Sequence, residues 1–141
     1  FDGIRALIYC DNGQCRIMSR NKIDITKNYP EISKACHKLN IKNFILDGEI
    51  VAFKGVVTSF TTLQQRMHIR TAKLRKQKIP VFFYAFDLIY FEGFYLEKLP
   101  LVQRKEILLL ASIVPVSACA FGVNRKKAHT KKDTDIKNKN L

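Results

Sequence analysis

The dipeptide Asn12-Gly13 stands between two apolar arms, Arg5-Ala6-Leu7-Ile8-Tyr9-Cys10 and Cys15-Arg16-Ile17-Met18. Both residues tolerate the positive φ angles of a tight two-residue turn, so residues 5–20 are expected to form an antiparallel hairpin. Two further segments have strand character. Val81–Phe91 (VFFYAFDLIYF) is the most apolar stretch and rich in aromatics, which suits a central strand, with Asp87 its one acid. Phe44–Phe53 reads as a strand buried on both sides, although Asp47 and Glu49 interrupt it. Lys54-Gly55 and Glu92-Gly93 mark turns.

Three short helices are expected between the strands. Pro30 suits a first turn, and Ile32, Ala35, Cys36 and Leu39 follow at i, i+3, i+4 and i+7. Thr58 or Ser59 can cap a second helix carrying Phe60, Leu63 and Met67. Pro100 opens a third, with Ile107, Leu110, Ala111 and Val114 on one face.

The 141 residues fit one domain with 47% apolar residues, enough for a core. The net charge of +13 favours a polyanionic partner. No apolar run approaches the length of a membrane span, and no charged-then-apolar N-terminal pattern marks a signal peptide. Four cysteines are few for a disulfide scaffold, and zinc spacing is missing; His37, beside Cys36, is the one histidine placed to join a ligand set. Cys10 and Cys15 flank the turn and could face each other, but the compartment rule favours reduced, intracellular thiols. Arg70–Lys78 holds five positive charges and no acid. From Asn124 the chain carries seven Lys/Arg and little that is apolar, so disorder is expected there.

Six short segments carry chemistry in a fixed order: Phe1-Asp2-Gly3-Ile4-Arg5, Ser19-Arg20-Asn21 with Tyr29-Pro30, Leu46-Asp47-Gly48-Glu49, Ser59-Phe60 through Leu63-Gln64-Gln65-Arg66, Tyr84-Ala85-Phe86-Asp87-Leu88-Ile89-Tyr90, and Leu99-Pro100-Leu101 with Arg104-Lys105. Together they resemble the ATP-dependent DNA ligases, and the wording of the third and fourth is similar to the ligase module of bacterial end-joining enzymes. The resemblance covers residues 1–112. It implies an α+β fold, a partial nucleotidyltransferase (adenylation) domain of mainly antiparallel sheets with short packing helices. Residues 113–141 would form a divergent basic tail.

The implied chemistry is the sealing of nicked or broken DNA in repair and recombination, using ATP and Mg²⁺, through a lysyl-AMP intermediate. Such chemistry needs a lysine amine neutral enough to attack the α-phosphate, and cations to spread the phosphate charge. It also needs a carboxylate at the ribose or metal and an aromatic face for the adenine. The resemblance assigns Asp2 and Gly3 to shaping the lysine loop, and Arg5 to the nucleotide sugar. Arg20 falls on phosphate of AMP or of the nick, Glu49 on ribose and Mg²⁺, and Phe86 on adenine. End-joining repair factors, in a bacterial cytoplasm, are the partners implied.

The nucleophilic lysine of the first motif would stand one position before Phe1, and the family's later motifs are not matched, so the chain alone is expected not to adenylylate itself. Incomplete sheets are expected to make it marginally stable. Plainer readings stand beside these roles: Glu49 as a strand-edge acid, Phe86 as core, Arg20 as a solvated charge, and Asp87 as a structural acid. Tyr9, Tyr90 and Tyr95 read as packing residues. Lys73, Arg75, Lys76 and Lys78 could touch DNA phosphates or serve solubility. His37, His68 and His129 carry no evident role. Alternative functions are an RNA ligase or capping-type nucleotidyltransferase, and a non-catalytic basic nucleic-acid-binding protein.

Overall fold

The computed structural model describes residues 1–39, 41–69, 79–112 and 121–123. The basic stretch at 70–78 and the tail expected to be disordered from 124 lie outside them.

Strands β1 (Ile4–Asp11) and β2 (Gln14–Ser19) form the expected hairpin. Asn12 and Gly13 both adopt positive φ, at 48° and 79°, so the primed turn is realised. β1 then pairs antiparallel with β3 (Phe44–Lys54), and β3 with β5 (Val81–Phe91). Short strands β4 (Val57–Thr58) and β6 (Phe94–Tyr95) return from the Gly55 and Glu92-Gly93 turns. β7 (Phe121–Val123) adds a parallel pairing, against β5, the one such pairing among the described residues. The order β2-β1-β3-β5-β6 makes β3 the middle strand; β5, expected to be central, is interior, between β3 and β6, with β7 also on it. The fold is the expected α+β arrangement on a mainly antiparallel sheet.

One face of this sheet is the core. Alternation along the strands sends Ala6, Ile8 and Cys10 inward from β1, Phe44, Leu46 and Ile50 from β3, and Val81, Phe83 and Ala85 from β5. Helix α1 (Pro30–Cys36) adds Ile32 and Cys36, α2 (Phe60–Met67) adds Leu63, and α3 (Leu101–Ser112) adds Leu108. Asp47 and Glu49 point to the other face. That resolves their place in an apolar run: the first half of β3 is buried on one side, not both.

Two helix faces differ from the periodicity. In α2 the buried i+3 partner of Leu63 is Arg66, 1% exposed, while Met67 is 52% exposed. Arg66 is held from several sides: it donates from Nη1 to the Ile79 carbonyl at 2.7 Å and from Nη2 to the Asn28 carbonyl at 3.1 Å. It also lies over the Tyr29 ring and approaches Glu31 at 2.6 Å, an ion pair not aligned as a hydrogen bond. In α3 the inward residues are Ile107 and Leu108, and Leu110 is exposed. Arg104 sets this rotation, because Asp87 on β5 takes its Nε and Nη2 at 2.8 and 2.7 Å. Residues 107 and 108 then follow at i+3 and i+4 toward the core. Asp87 is therefore structural, as the plainer reading had it.

Cys10 and Cys15 are paired directly across the hairpin, with Cα atoms 4.1 Å apart, and are joined as a disulfide. The expectation of reduced thiols fails at this pair. The tight turn brings both side chains to the same face of adjacent strands. Cys36 is a free, buried thiol, and burial pushes its pKa up to about 12. Tyr95 is 70% exposed and touches Tyr90 edge-on, so it is a surface residue, not a packing one. Among the described residues no helix is long and apolar enough to cross a membrane.

Candidate functional site

The second face of the sheet carries the motif residues. Arg5 on β1 is the register partner of Glu49 on β3, and Glu49 is the partner of Tyr84 on β5. Side chains directly opposite on adjacent strands share a face, so these three form one row. One step along, Leu7, Asp47 and Asp87 form the next.

Phe86, two positions after Tyr84 on β5, shares this face and sits at an irregularity. Asp47 pairs with Asp87 and Gly48 with Ala85, which leaves Phe86 as an extra residue on β5. A bulge of this kind re-aims a side chain and bends the strand. A second register shift, between Ile45 and Leu46, does the same for Ile89. Gly48 sits beneath the first bulge, where a Cβ would collide with the Tyr84 carbonyl oxygen and the Phe83 ring. The Phe86 ring is not bare: Phe1 lies 5.9 Å from it and stacks on Tyr84 at 4.3 Å.

Beside this row lies a cleft of about 790 Å³, lined by Arg5, Arg16, Arg20, Lys22, Tyr9 and Asp47 among others. Four cations against one carboxylate suit an anion. Arg20 follows the last β1–β2 pair, Ala6–Ser19, which brings it to the Arg5 side of the cleft. Tyr9, expected to pack, is 38% exposed on its wall. Asp47 already holds Arg5, through Nε at 3.1 Å and Nη2 at 2.6 Å. That pairing raises the Arg5 pKa and fixes the fork on the face. Asp47 is a positioning residue that motif reading passed over, although an acid two positions before Glu49 on a strand must share its face.

Asp2 and Gly3 organise the entry to β1. The Asp2 carboxylate accepts from the Phe60 amide at 2.9 Å, at the start of α2, while its own amide donates to Thr58 Oγ1 at 3.1 Å. Ser59 caps the same helix, accepting from the Thr62 amide. Gly3 runs against the Ile50 carbonyl, so closely that a Cβ would clash. Arg5 and Arg20 thus meet in the cleft, Glu49 adjoins Arg5, and Phe86 lies across the bulge outside the cleft lining. Asp2 and Gly3 hold the backbone beneath.

A sequence profile of the ATP dependent DNA ligase domain matches residues 1–138. The chain belongs to the ATP-dependent DNA ligase domain family. The match runs past residue 112, where the resemblance read from the six motifs ends. Relatives of this ligase chain include DNA ligase 1 of Dictyostelium discoideum, 38% identical over 128 residues, and a probable DNA ligase of Koribacter versatilis, 36% identical over 110 residues. They align to 86% and 77% of this chain, which spans 11% and 19% of their lengths. The fold resembles the ligase domain of M. tuberculosis LigD, with TM-score 0.66 and 32% identity over 78% of this chain and 33% of that one. A mycobacterial DNA ligase D complexed with ATP and MES is equally similar, with TM-score 0.65 over 78% of this chain and 34% of that one.

Proposed function

We propose that the open face of this sheet is one wall of the nucleotide cleft of an ATP-dependent DNA ligase that seals nicked or broken duplexes. The carrying observation is the row Arg5–Glu49–Tyr84, flanked by the bulged Phe86 on one side and the cationic cleft on the other. A nucleoside phosphate has the same order of needs: an aromatic face for the base, an acceptor for the ribose hydroxyls, and cations for the phosphates. Phe86 would stack on adenine, Glu49 would accept from the ribose, and Arg5 would contact the sugar from its fixed fork. Arg20 would engage phosphate of AMP or of the DNA nick.

Glu49 also suits Mg²⁺, which takes one or two carboxylates together with substrate phosphates and water. Bound there, Mg²⁺ would supply positive charge against the phosphates. The relatives' ATP dependence and the ATP complex of a mycobacterial ligase D support ATP as the nucleotide. Asp2 and Gly3 would hold the segment leading into β1, where by the family motif a lysine would stand one position before Phe1. End-joining factors and an intracellular setting follow from the same resemblance.

The test is ATP binding by calorimetry on the chain itself. The expected outcome is saturable binding weakened roughly tenfold or more by Glu49→Ala and by Phe86→Ala. Unchanged affinity in both variants would remove these roles. The cationic cleft also favours a second reading, a basic nucleic-acid-binding module. Nick binding that falls steeply with salt, without nucleotide binding, would select it.

A further inference from the structure

Three sulfurs gather on the core side of the sheet, apart from the charged face. The Sγ atoms of Cys10, Cys15 and Cys36 lie within 4.8 Å of one another. Their residues are 5%, 7% and 1% exposed. Two belong to the first hairpin and the third to α1, so three sequence positions separated by a strand, a turn and a helix converge on one point. The chemistry of this donor set is narrow. It holds no carboxylate or imidazole, which disfavours Mg²⁺ and Ca²⁺. Structural zinc sites close with four ligands, and this group offers three. Soft thiolates select Cu(I) among the first-row metals.

We infer that, once the Cys10–Cys15 bond is reduced, Cys10, Cys15 and Cys36 form a dry three-sulfur site for a thiophilic ion of the Cu(I) class. Metal–sulfur bonds of about 2.3 Å in a trigonal plane place the sulfurs about 4 Å apart. The observed sulfur separations, all within 4.8 Å, are of that size. In the oxidised form the bond ties β1 to β2; in the loaded form the ion also ties α1 to the hairpin.

The steps balance. A dithiol reductant gives two electrons and two protons to the Cys10–Cys15 bond and becomes a disulfide, so one S–S bond breaks and two S–H groups form. Cu(I) then displaces thiol protons, which leave to solvent, and no electron moves.

The test uses the full chain, reduced with a dithiol, desalted without air, and titrated with Cu(I) against a chromophoric Cu(I) chelator. One Cu(I) per reduced chain, none on the oxidised chain, and three sulfur neighbours by X-ray absorption are expected. Cys36→Ser should weaken retention roughly tenfold or more, and Cys119→Ser should leave it unchanged. Equal retention by Cys36→Ser, equal binding by the oxidised chain, loss with Cys119→Ser, or fewer than three sulfur neighbours would overturn the site. Because Cys36→Ser alters the core, the sulfur count on the unmutated chain decides independently of its folding.

Discussion

Single residues carry large consequences where charge is buried or backbones meet. Arg66 is enclosed by the Ile79 and Asn28 carbonyls, the Tyr29 ring and Glu31, whose carboxylate has no hydrogen-bond donor. Removing the guanidinium leaves that carboxylate buried without a counter-charge. Arg66→Ala is therefore expected to destabilise by about 3–5 kcal/mol, whereas Arg66→Met with Glu31→Leu together should cost far less. Urea denaturation of the three proteins checks this, and equal losses would mean that the pair is not the cause. Gly48→Ala pushes a methyl into the Tyr84 carbonyl and the Phe83 ring. The expected cost is about 1–3 kcal/mol of stability, together with loss of ATP affinity as the strand segment that carries Tyr84 and Phe86 shifts. A variant that binds ATP normally would separate the glycine from the site.

At the scale of elements, the β5–β6 turn is anchored by one side chain. The Glu92 carboxylate accepts from the amides of Lys42 and Asn43 at 2.7 and 3.1 Å, which holds its pKa below the usual glutamate range. A lowered carboxyl pKa contributes stability above the ordinary value, and that contribution fades as pH falls through the lowered one. Asp24, held by Thr26, acts in the same direction. The thermal midpoint is thus expected to drop on going from neutral pH to about pH 3, and to drop less in Glu92→Gln. Equal drops would place the acid sensitivity elsewhere. At α3, Arg104→Ala should free the helix rotation that Asp87 imposes and expose Leu108, which hydrogen exchange of the α3 amides would register as faster opening.

For the whole molecule, one apolar cluster runs from Ala6 on β1 to Leu108 on α3. That continuity predicts a single cooperative unfolding transition, read as coincident curves by far-ultraviolet circular dichroism and tyrosine fluorescence. Separate curves would split the sheet from its helices. The net charge of +13 acts at this scale as well. Duplex affinity should fall linearly in log–log plots against salt, and Arg20→Ala should reduce the slope by about one.

Local chemistry made much of this legible in the sequence. The Asn12-Gly13 turn, Ser59 as a helix cap and Pro30 at a helix start each act on neighbours in the chain, so residue type was sufficient. The six ordered motifs indicated the family because their spacing survives without coordinates. Tertiary structure decided what depends on partners far along the chain. The bulge that brings Asp87 opposite Asp47 exists only in the pairing of β5 with β3, and the Arg5–Asp47 fork spans 42 positions. Burial of Arg66 needed carbonyls from two other segments, and the meeting of three sulfurs needed the hairpin to close beneath α1. Periodicity alone ranks an arginine as exposed and treats cysteines one by one. A folded core can bury the arginine by satisfying its donors and bring the cysteines together by crossing its elements.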